Sequence, residues 1–219
     1  MEILSFKTLA SSQKYLLKEL EKENLNAPIA VTCEEQYSGI GSRDNDWAGG
    51  EGNFFASIAV DINALPKDLS LSSASIYFSF IMKQALASFG EEVWLKWPND
   101  FYKNDDKVGG TITQKVNNTL VCGIGINLKK TQNGYNALQC DIRPDILLKK
   151  YLEMLENFPK WKQIFSEYEV EFELSRKFSV HIENYQNARQ KGDKQSLADA
   201  SLQSDGSLII EGKKVFSLR

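Results

Sequence analysis

The apolar positions of this 219-residue chain divide it into strands and helices. Short runs with strand-like composition alternate with longer segments in which apolar residues recur at helical spacing. The predicted strands cover residues 2–6, 28–33, 54–62 and 93–95. The predicted helices cover the segment after Ser11 and Ser12 and residues 71–89, 144–155 and 159–172. A serine N-cap, a glycine at one helix end and prolines at two helix starts support these bounds.

A β-hairpin is predicted from residues 107–116 and 119–126, because Asn117 and Asn118 suit a two-residue turn. Each of its strands carries two glycines, which are Gly109, Gly110, Gly123 and Gly125. Glycines inside strands mark bulges or places where another group approaches the backbone closely. A ligand lying across the hairpin and tight packing against a helix explain these glycines equally well.

The chain changes character near Ser175, where short strand-like runs replace the helices. These runs are predicted at residues 178–182, 197–202, 208–211 and 214–218. Residues 204–206 have the composition of a hairpin turn, and residues 184–194 have that of a polar loop. We therefore predict a main domain of residues 1–174 followed by a small barrel-like β-unit of residues 175–219.

A lysine occupies a constrained position after the last predicted strand of the first half. Pro98 lacks an amide hydrogen and biases Trp97 towards extended backbone, so the strand is predicted to end there. Asn99 and Asp100 suit the turn that follows, because their side chains bond to nearby backbone amides. The sequence therefore predicts that Lys96 holds its ammonium group at the mouth of a pocket.

Residues 36–53 contain five glycines and almost no aliphatic side chains. This composition predicts a long loop without packing of its own, and such loops are usually lids or binding loops. Backbone amides near Gly39 and Gly41 can hold an anion, Arg43 adds a positive charge, and the Trp47 indole can stack on a base. The alternative is a flexible surface loop with Trp47 pinned to the core. The third glycine and the helix of a dinucleotide-binding motif are missing, which disfavours a nicotinamide dehydrogenase.

Composition narrows the class of function. The chain has 42% hydrophobic residues, 25% charged residues and a net charge of −3, which is typical of globular proteins and not of dedicated nucleic-acid binders. No apolar run is long enough to cross a membrane, and no signal peptide is recognisable. Three cysteines without CxxC spacing predict reduced thiols and a cytoplasmic location. A single histidine, His181, disfavours a histidine-based triad or metal site.

Three strings, in this order along the chain, resemble those of biotin–protein ligase. They are Lys96-Trp97-Pro98-Asn99-Asp100, Lys107-Val108-Gly109-Gly110 and Gly123-Ile124-Gly125-Ile126-Asn127. Residues 11–13, Gln36 and the 39–47 loop fall where this family places other ligand contacts, and residues 215–219 resemble its C-terminal strand. The resemblance covers nearly the whole chain. It implies an α+β fold of the class II synthetase-like kind, in which a mixed β-sheet with packed helices precedes a small SH3-like β-barrel.

The resemblance also implies an activity. A biotin–protein ligase uses ATP to activate biotin to biotinyl-5′-AMP and transfers the biotinyl group to a lysine of a biotin carboxyl carrier protein. Mg²⁺ would neutralise the departing pyrophosphate. Because the chain starts at the catalytic strand, we expect a short form without a DNA-binding domain and neither DNA nor a membrane as partner. A homodimer formed through the central sheet is compatible with the resemblance.

Residue roles follow from the same resemblance. Lys96 and Arg43 are the expected catalytic residues, with Lys96 stabilising charge at the carboxylate and the α-phosphate. The expected biotin contacts are Ser11, Ser12, Gln13, Gln36, Gly39, Ile40, Gly41, Ser42, Lys96, Gly109 and Gly110. The expected ATP contacts are Arg43, Trp47, Asn99, Lys107 and Asn127. No residue is expected to bind a metal directly.

The glycine-rich loop departs from the family pattern. The family commonly has Gly-Arg-Gly-Arg, whereas this chain has Gly39-Ile40-Gly41-Ser42 followed by Arg43. Either the phosphate grip is rearranged around Arg43 and the backbone amides, or the adenylate is held less tightly. Two alternative functions stay open: a lipoate–protein ligase, which shares the fold and the acyl-adenylate chemistry, and a biotin-binding protein without catalysis.

Overall fold

The computed structural model describes residues 1–41, 46–130, 136–181 and 194–216. The strands are β1 (Glu2–Leu9), β2 (Ile29–Ile40), β3 (Asp46–Gly49), β4 (Phe54–Asp61), β5 (Trp94–Lys96), β6 (Asp100–Lys103), β7 (Asp106–Val116), β8 (Thr119–Ile126), β9 (Ser179–His181), β10 (Lys194–Ser196), β11 (Ser201–Leu202), β12 (Leu208–Ile210) and β13 (Lys213–Val215). The helices are α1 (Ser12–Glu21), α2 (Ala74–Ala87), α3 (Pro144–Glu156) and α4 (Trp161–Glu171). Within these residues no helix is long and apolar enough to cross a bilayer.

One mixed sheet organises the described part of the chain. Its eight strands run in the order β1-β2-β4-β8-β7-β6-β5, and β3 pairs with β2 beside this path. β1 and β2 are parallel, as expected for strands joined by a helix, and the remaining pairs in this sheet are antiparallel. The predicted α+β fold with a mixed sheet is therefore confirmed.

Helices cover the two faces of the sheet unequally. α2, α3 and α4 pack on one face and form a large core with residues such as Phe54, Ile58 and Ile124. α1 covers the other face, where Leu16, Leu17 and Leu20 contact a smaller apolar cluster from β2, β4 and β8. Because α1 is short, it covers only part of its face. The rest of that face is open to a ligand.

The start of α1 is fixed by its N-cap. Ser11 has extended backbone, and its hydroxyl accepts a hydrogen bond from the Lys14 amide at 3.4 Å. This confirms the predicted cap, which satisfies one of the amides left unpaired in the first helical turn. The cap places Ser12 and Gln13 at the open face of the sheet, where both are buried.

The hairpin and the turn after β5 are formed as predicted. β7 and β8 pair from Val116–Thr119 to Gly109–Ile126, and Asn117 adopts the positive φ of 51° that the two-residue turn requires. β5 ends at Lys96 and pairs with β6 through Lys96 and Asp100. The turn thus brings Lys96, Asp100 and β7 to the same edge of the sheet.

The C-terminal residues form a small β-unit packed on the main sheet and its helices. β9 pairs with β10, and β11, β12 and β13 form a three-stranded sheet. Val180, Leu197 and Leu208 belong to the same apolar core as α2. The predicted C-terminal β-unit is present, and the division at residues 174 and 175 stays a prediction.

The prediction of a long irregular loop at residues 36–53 is wrong for most of its described part. β2 continues to Ile40, and β3 pairs with it through Gly39–Trp47 and Ile40–Asp46. Strand hydrogen bonds from neighbouring segments stabilise this glycine-rich backbone, although its composition offers few side chains to pack. The anion loop expected at Ser42 and Arg43 lies outside the described residues.

Candidate active site

A pocket lies on the α1 face of the sheet, between the N-terminus of α1 and the turn after β5. Strands β2, β3, β4, β7 and β8 all contribute to its wall. Its lining consists of Ser11, Ser12, Gln13, Gln36, Ile40, Gly41, Trp47, Ser57, Asn99, Asp100, Lys107, Gly110, Thr111, Ile112, Gly123, Ile124 and Gly125. The sequence therefore folds so that most of the predicted binding residues meet at one place.

Glycines on β7 and β8, which have no side chains, leave the space that forms this pocket. Gly110 lies opposite Gly125 in the sheet, and a Cβ on Gly125 would lie 2.7 Å from the Trp47 indole nitrogen. A Cβ on Gly123 would lie 2.6 Å from the side-chain oxygen of Gln13. Both distances are shorter than real Cβ contacts, so a side chain at either position would displace Trp47 or Gln13. Gly110, Gly123 and Gly125 all line the pocket, so these three glycines leave space beside it.

Gly109 has the other role. It lies on the opposite face, where a Cβ would meet the Gly125 carbonyl oxygen at 2.7 Å and the Phe101 ring at 3.1 Å. Neighbouring residues of a strand point to opposite faces of the sheet, so Gly109 and Gly110 cannot both face one ligand. At Gly109 the structure shows tight packing against the core, and the expected biotin contact there stays a prediction.

The inner end of the pocket holds a buried polar network. The Gln36 side-chain oxygen accepts hydrogen bonds from the Ser12 amide at 2.7 Å and the Ser12 hydroxyl at 3.0 Å. The Ser12 hydroxyl also bonds to the Ser57 hydroxyl at 2.9 Å. Because a backbone amide can only donate, the Gln36 oxygen must face Ser12, and the Gln36 amide nitrogen is turned towards Gly39. The Gln36 N–H groups are therefore not used in this network and lie on its Gly39 side.

Gln13 supplies the complementary acceptor. Its amide nitrogen donates to the Val121 carbonyl at 3.5 Å, and its side-chain oxygen lies over Gly123. This oxygen is buried and has no hydrogen-bond partner among the described residues. A buried acceptor without a donor costs about 1–3 kcal/mol. The inner end of the pocket is therefore suited to a ligand group that both accepts and donates hydrogen bonds.

Trp47 forms one wall of the pocket. Its indole lies against Gly125, and its ring nitrogen is buried without a hydrogen-bond partner among the described residues. β3 holds the residue in place through pairing of Trp47 with Gly39. The arrangement leaves an aromatic face and an unused N–H donor beside the pocket.

Two lysines approach one carboxylate at the mouth of the pocket. The Lys107 ammonium lies 2.5 Å from one oxygen of Asp100, and the Lys96 ammonium lies 3.9 Å from the other. Lys107 lines the pocket and its side chain is 41% exposed. Lys96 does not line the pocket; its ammonium lies 5.9 Å from the Tyr102 ring and 5.8 Å from the Phe178 ring. The structure therefore places Lys107 in the pocket lining and Lys96 outside it, with both ammonium groups near the same carboxylate.

Two asparagines fix the backbone around these lysines. Asn99 donates from its amide group to the Thr111 carbonyl, and its own carbonyl accepts from the Thr111 amide at 2.9 Å. Asn127 donates to the Asn136 carbonyl at 3.0 Å, while its side-chain oxygen is buried without a partner among the described residues. Asn99 lines the pocket, and Asn127 lies outside its lining.

The structure thus brings together part of the predicted site. The predicted residues in the lining are Ser11, Ser12, Gln13, Gln36, Ile40, Gly41, Trp47, Asn99, Lys107 and Gly110. Gly39, Lys96, Gly109 and Asn127 lie outside it, and Ser42 and Arg43 lie outside the described residues. Sequence reasoning did not assign a role to Ser57, although a serine inside the apolar run of β4 is a signal for a buried polar contact.

Comparison with known proteins agrees with this geometry. The model of the biotin/lipoate A/B protein ligase family matches residues 5–130. The bifunctional ligase/repressor BirA of Escherichia coli is 29% identical over 125 residues, which are 54% of this chain and 38% of that protein. The chain thus matches less than half the length of this curated relative.

Solved structures extend the similarity to nearly the whole chain. A biotin acetyl coenzyme A carboxylase synthetase from Helicobacter pylori, solved with bound biotinylated ATP, is 36% identical with a TM-score of 0.90, covering 98% of this chain and 99% of that one. The biotin protein ligase of Aquifex aeolicus shares the fold at 20% identity, with a TM-score of 0.73 over 100% of this chain and 96% of that chain. The chain therefore belongs to the biotin/lipoate A/B protein ligase family, and within it resembles the biotin protein ligases.

Proposed function

We propose that this chain activates biotin with ATP to biotinyl-5′-AMP and then transfers the biotinyl group to a lysine of a biotin carboxyl carrier protein. We choose biotin as the acid because the pocket combines N–H donors from Gln36 with the unpartnered oxygen of Gln13. A cyclic urea has a carbonyl acceptor and two N–H donors, so it satisfies both groups. The dithiolane ring of lipoate has neither, and it would leave the Gln13 oxygen unpaired.

The first step joins two anions. A carboxylate oxygen of biotin attacks the α-phosphorus of ATP, the bond to the β-phosphate oxygen breaks, and pyrophosphate leaves. Charge develops on the α-phosphate, where an ammonium group fixed beforehand is most effective. Lys107 is the described cation that lines the pocket and is held in place by Asp100. We therefore assign the stabilising role to Lys107 instead of Lys96.

The second step transfers the acyl group. The neutral amine of the acceptor lysine attacks the biotinyl carbonyl carbon, AMP leaves as the mixed anhydride breaks, and the amine loses a proton to solvent. The adenylate must be shielded from water until the acceptor arrives. Trp47, which forms one wall of the pocket over Gly125, is suited to this shielding and to stacking on the adenine.

Other contacts with ATP are part of the proposal. The unpartnered Asn127 oxygen is suited to accept from the adenine amino group, and Arg43 is expected at the phosphates. Among the described residues no cluster of three or more metal-binding side chains is present. Mg²⁺ would therefore bind mainly through the phosphates of ATP, as Mg²⁺ commonly does in such sites, and would neutralise pyrophosphate charge.

The identity of the carrier, the homodimer, the cytoplasmic location and the absence of a DNA partner stay predictions. The described cysteines, Cys33, Cys122 and Cys140, are free and buried, which is compatible with a reducing compartment. Transfer of biotin to a carrier requires only that its acceptor lysine reach the mouth of the pocket beside Lys107.

Adenylate formation with a set of acids tests the proposal. Pyrophosphate release is measured with MgATP and biotin, desthiobiotin or lipoate, followed by mass spectrometry of a biotin carboxyl carrier domain. Because recognition rests on the urea, biotin and desthiobiotin should both be activated, and kcat/KM for lipoate should be lower by at least about a hundredfold. Equal or faster activation of lipoate would refute the assignment. Biotin binding without pyrophosphate release would indicate a binding protein.

A further inference from the structure

One turn of the C-terminal β-unit makes a concentrated set of hydrogen bonds with the rest of the protein, in addition to the apolar contacts of the unit. Three consecutive carbonyl oxygens, those of residues 204–206, accept hydrogen bonds from side chains of the main domain. Trp161 donates to Ser204 at 2.8 Å, Ser73 donates to Asp205, and Trp97 donates to Gly206 at 2.9 Å. We call residues 204–206 the C-terminal turn.

Gly206 permits this close approach. Its φ is +77°, a backbone conformation that side chains disfavour, and a Cβ there would lie 2.7 Å from the Ser73 hydroxyl. The glycine therefore lets the C-terminal turn sit directly against α2 and the turn after β5. An attachment made of backbone carbonyls has a fixed geometry.

Trp97 is attached to the C-terminal residues by both of its N–H groups. Its indole N–H donates to Gly206, and its backbone N–H donates to the Ser175 hydroxyl at 3.2 Å. The residue is 0% exposed. Trp97 is therefore oriented by two directional hydrogen bonds in addition to its apolar contacts.

A short path leads from Trp97 to the Lys107 ammonium. Pro98 follows it and restricts the backbone, and Asn99 is bonded to Thr111 of β7 at both its side chain and its carbonyl. Asp100 comes next and holds the Lys107 ammonium at 2.5 Å. The turn after β5 is thus fixed at one end by the C-terminal residues and at the other by β7.

We infer that the C-terminal turn positions the site: through Trp97 it fixes the Asp100 carboxylate and hence the Lys107 ammonium. This inference rests on the proposed function, because it assigns Trp97 as a positioning residue for the adenylation step. Trp97 itself lies outside the pocket lining. Loss of its bond to Gly206 shifts the turn and moves the ammonium away from the developing charge, while the inner end of the pocket is unchanged.

A role in folding alone is the competing explanation, and Trp161 provides the matched control. Trp97→Phe and Trp161→Phe each remove the indole N–H of a buried tryptophan that donates to the C-terminal turn, and each leaves one carbonyl without that donor. Trp161 lies in α4, away from the pocket lining. The two variants should therefore lose similar stability and differ only in effects transmitted through the turn after β5.

The test measures melting temperature, kcat of pyrophosphate release and the KM for the acid in wild type and both variants. The acid is biotin or lipoate, whichever the wild type activates. We expect Trp97→Phe to lower kcat by about tenfold to a hundredfold at an unchanged KM for the acid, since small misplacements of catalytic groups have effects of this size. Trp161→Phe should keep kcat within about twofold of the wild type.

The outcomes separate the two proposals. Equal kcat in all three proteins, or equal loss in both variants, overturns the positioning role and leaves the proposed function intact. Loss in Trp97→Phe that appears only in the KM for the acid also overturns it, because the turn would then act on binding. A wild type that activates neither acid overturns the proposed function and, with it, this inference.

Discussion

Replacing Lys107 by glutamine tests which lysine serves the reaction. The substitution removes the ammonium from the pocket and keeps a polar side chain of similar length. If Lys107 stabilises charge on the α-phosphate, kcat for pyrophosphate release should fall by about a hundredfold to a thousandfold, the usual cost of losing one preorganised donor at developing charge. This corresponds to about 2.7–4 kcal/mol in the barrier.

The structure indicates that folding would be little affected. The Lys107 side chain is 41% exposed, and its ion pair with Asp100 lies at the open mouth of the pocket. Exposed ion pairs contribute about 0–1 kcal/mol, because solvent screens the charges. An activity loss of the expected size therefore could not result from unfolding, and the melting temperature should change by only a few degrees.

Lys96→Gln is the matched comparison. The Lys96 side chain is 11% exposed, and its ammonium lies near the Tyr102 and Phe178 rings. Buried cation–π contacts contribute about 2 kcal/mol when desolvated, so this variant should lose more stability than Lys107→Gln. Its kcat should fall by less than about tenfold, because Lys107 remains in the pocket.

The assay couples pyrophosphate release to a spectrophotometric readout at saturating MgATP and biotin, with melting temperatures recorded for each protein. Single-turnover adenylate formation separates chemistry from release of the product. The reasoning would be refuted by a Lys107→Gln protein that keeps its kcat. A larger kcat loss in Lys96→Gln, at unchanged stability, would restore the original assignment to Lys96.

Three further changes have defined outcomes. Ser57→Ala removes the bond to the Ser12 hydroxyl and should raise the KM for biotin about fivefold to tenfold at constant kcat. Gly125→Ala should displace the Trp47 indole, visible as a change in tryptophan fluorescence and a higher KM for ATP. Burial raises the pKa of Asp205, but hydrogen bonds from Lys214 and Ser207 outweigh this and bring it to about 2. Asp205→Asn should therefore cost at most about 1 kcal/mol above pH 4, a difference that disappears as the pH falls towards 2.

Each of these outcomes can fail. A KM for biotin unchanged in the Ser57 variant would show that the polar network does not depend on that hydroxyl. Wild-type fluorescence in the Gly125 variant would show that the indole accommodates a Cβ without moving. A stability difference between wild type and Asp205→Asn that persists at pH 2 in thermal melts would contradict the lowered pKa.

The sequence predicted the fold where local rules and tertiary contacts agree. The hairpin of β7 and β8 followed from Asn117 and Asn118, and the start of α1 followed from its serine cap. It did not predict the pairing of β2 with β3, because those strands are stabilised by neighbouring backbone and not by their own composition.

Within the pocket, the sequence indicated which residues line it better than how they are arranged. Ser12 and Gln36 are distant in the chain, and only the parallel pairing of β1 and β2 brings Gln36 beside the start of α1. We assign the stabilising role to Lys107 and not to Lys96 because the Lys96 ammonium lies beside the rings of Tyr102 and Phe178. Phe178 comes from a distant segment, so no local pattern could reveal this.

The glycines of β7 and β8 have a consequence for the thermodynamics of the whole molecule. Gly110, Gly123 and Gly125 leave the sheet without a layer of side chains at the place where α1 begins. A bound bicyclic ring would fill this space and pack against the sheet in place of side chains. Binding of this ligand would then stabilise the folded state by about 2.7 kcal/mol at a ligand concentration a hundred times Kd. A fall in the concentration of the acid would thus lower the protein's resistance to heat and proteolysis as well as its rate of catalysis.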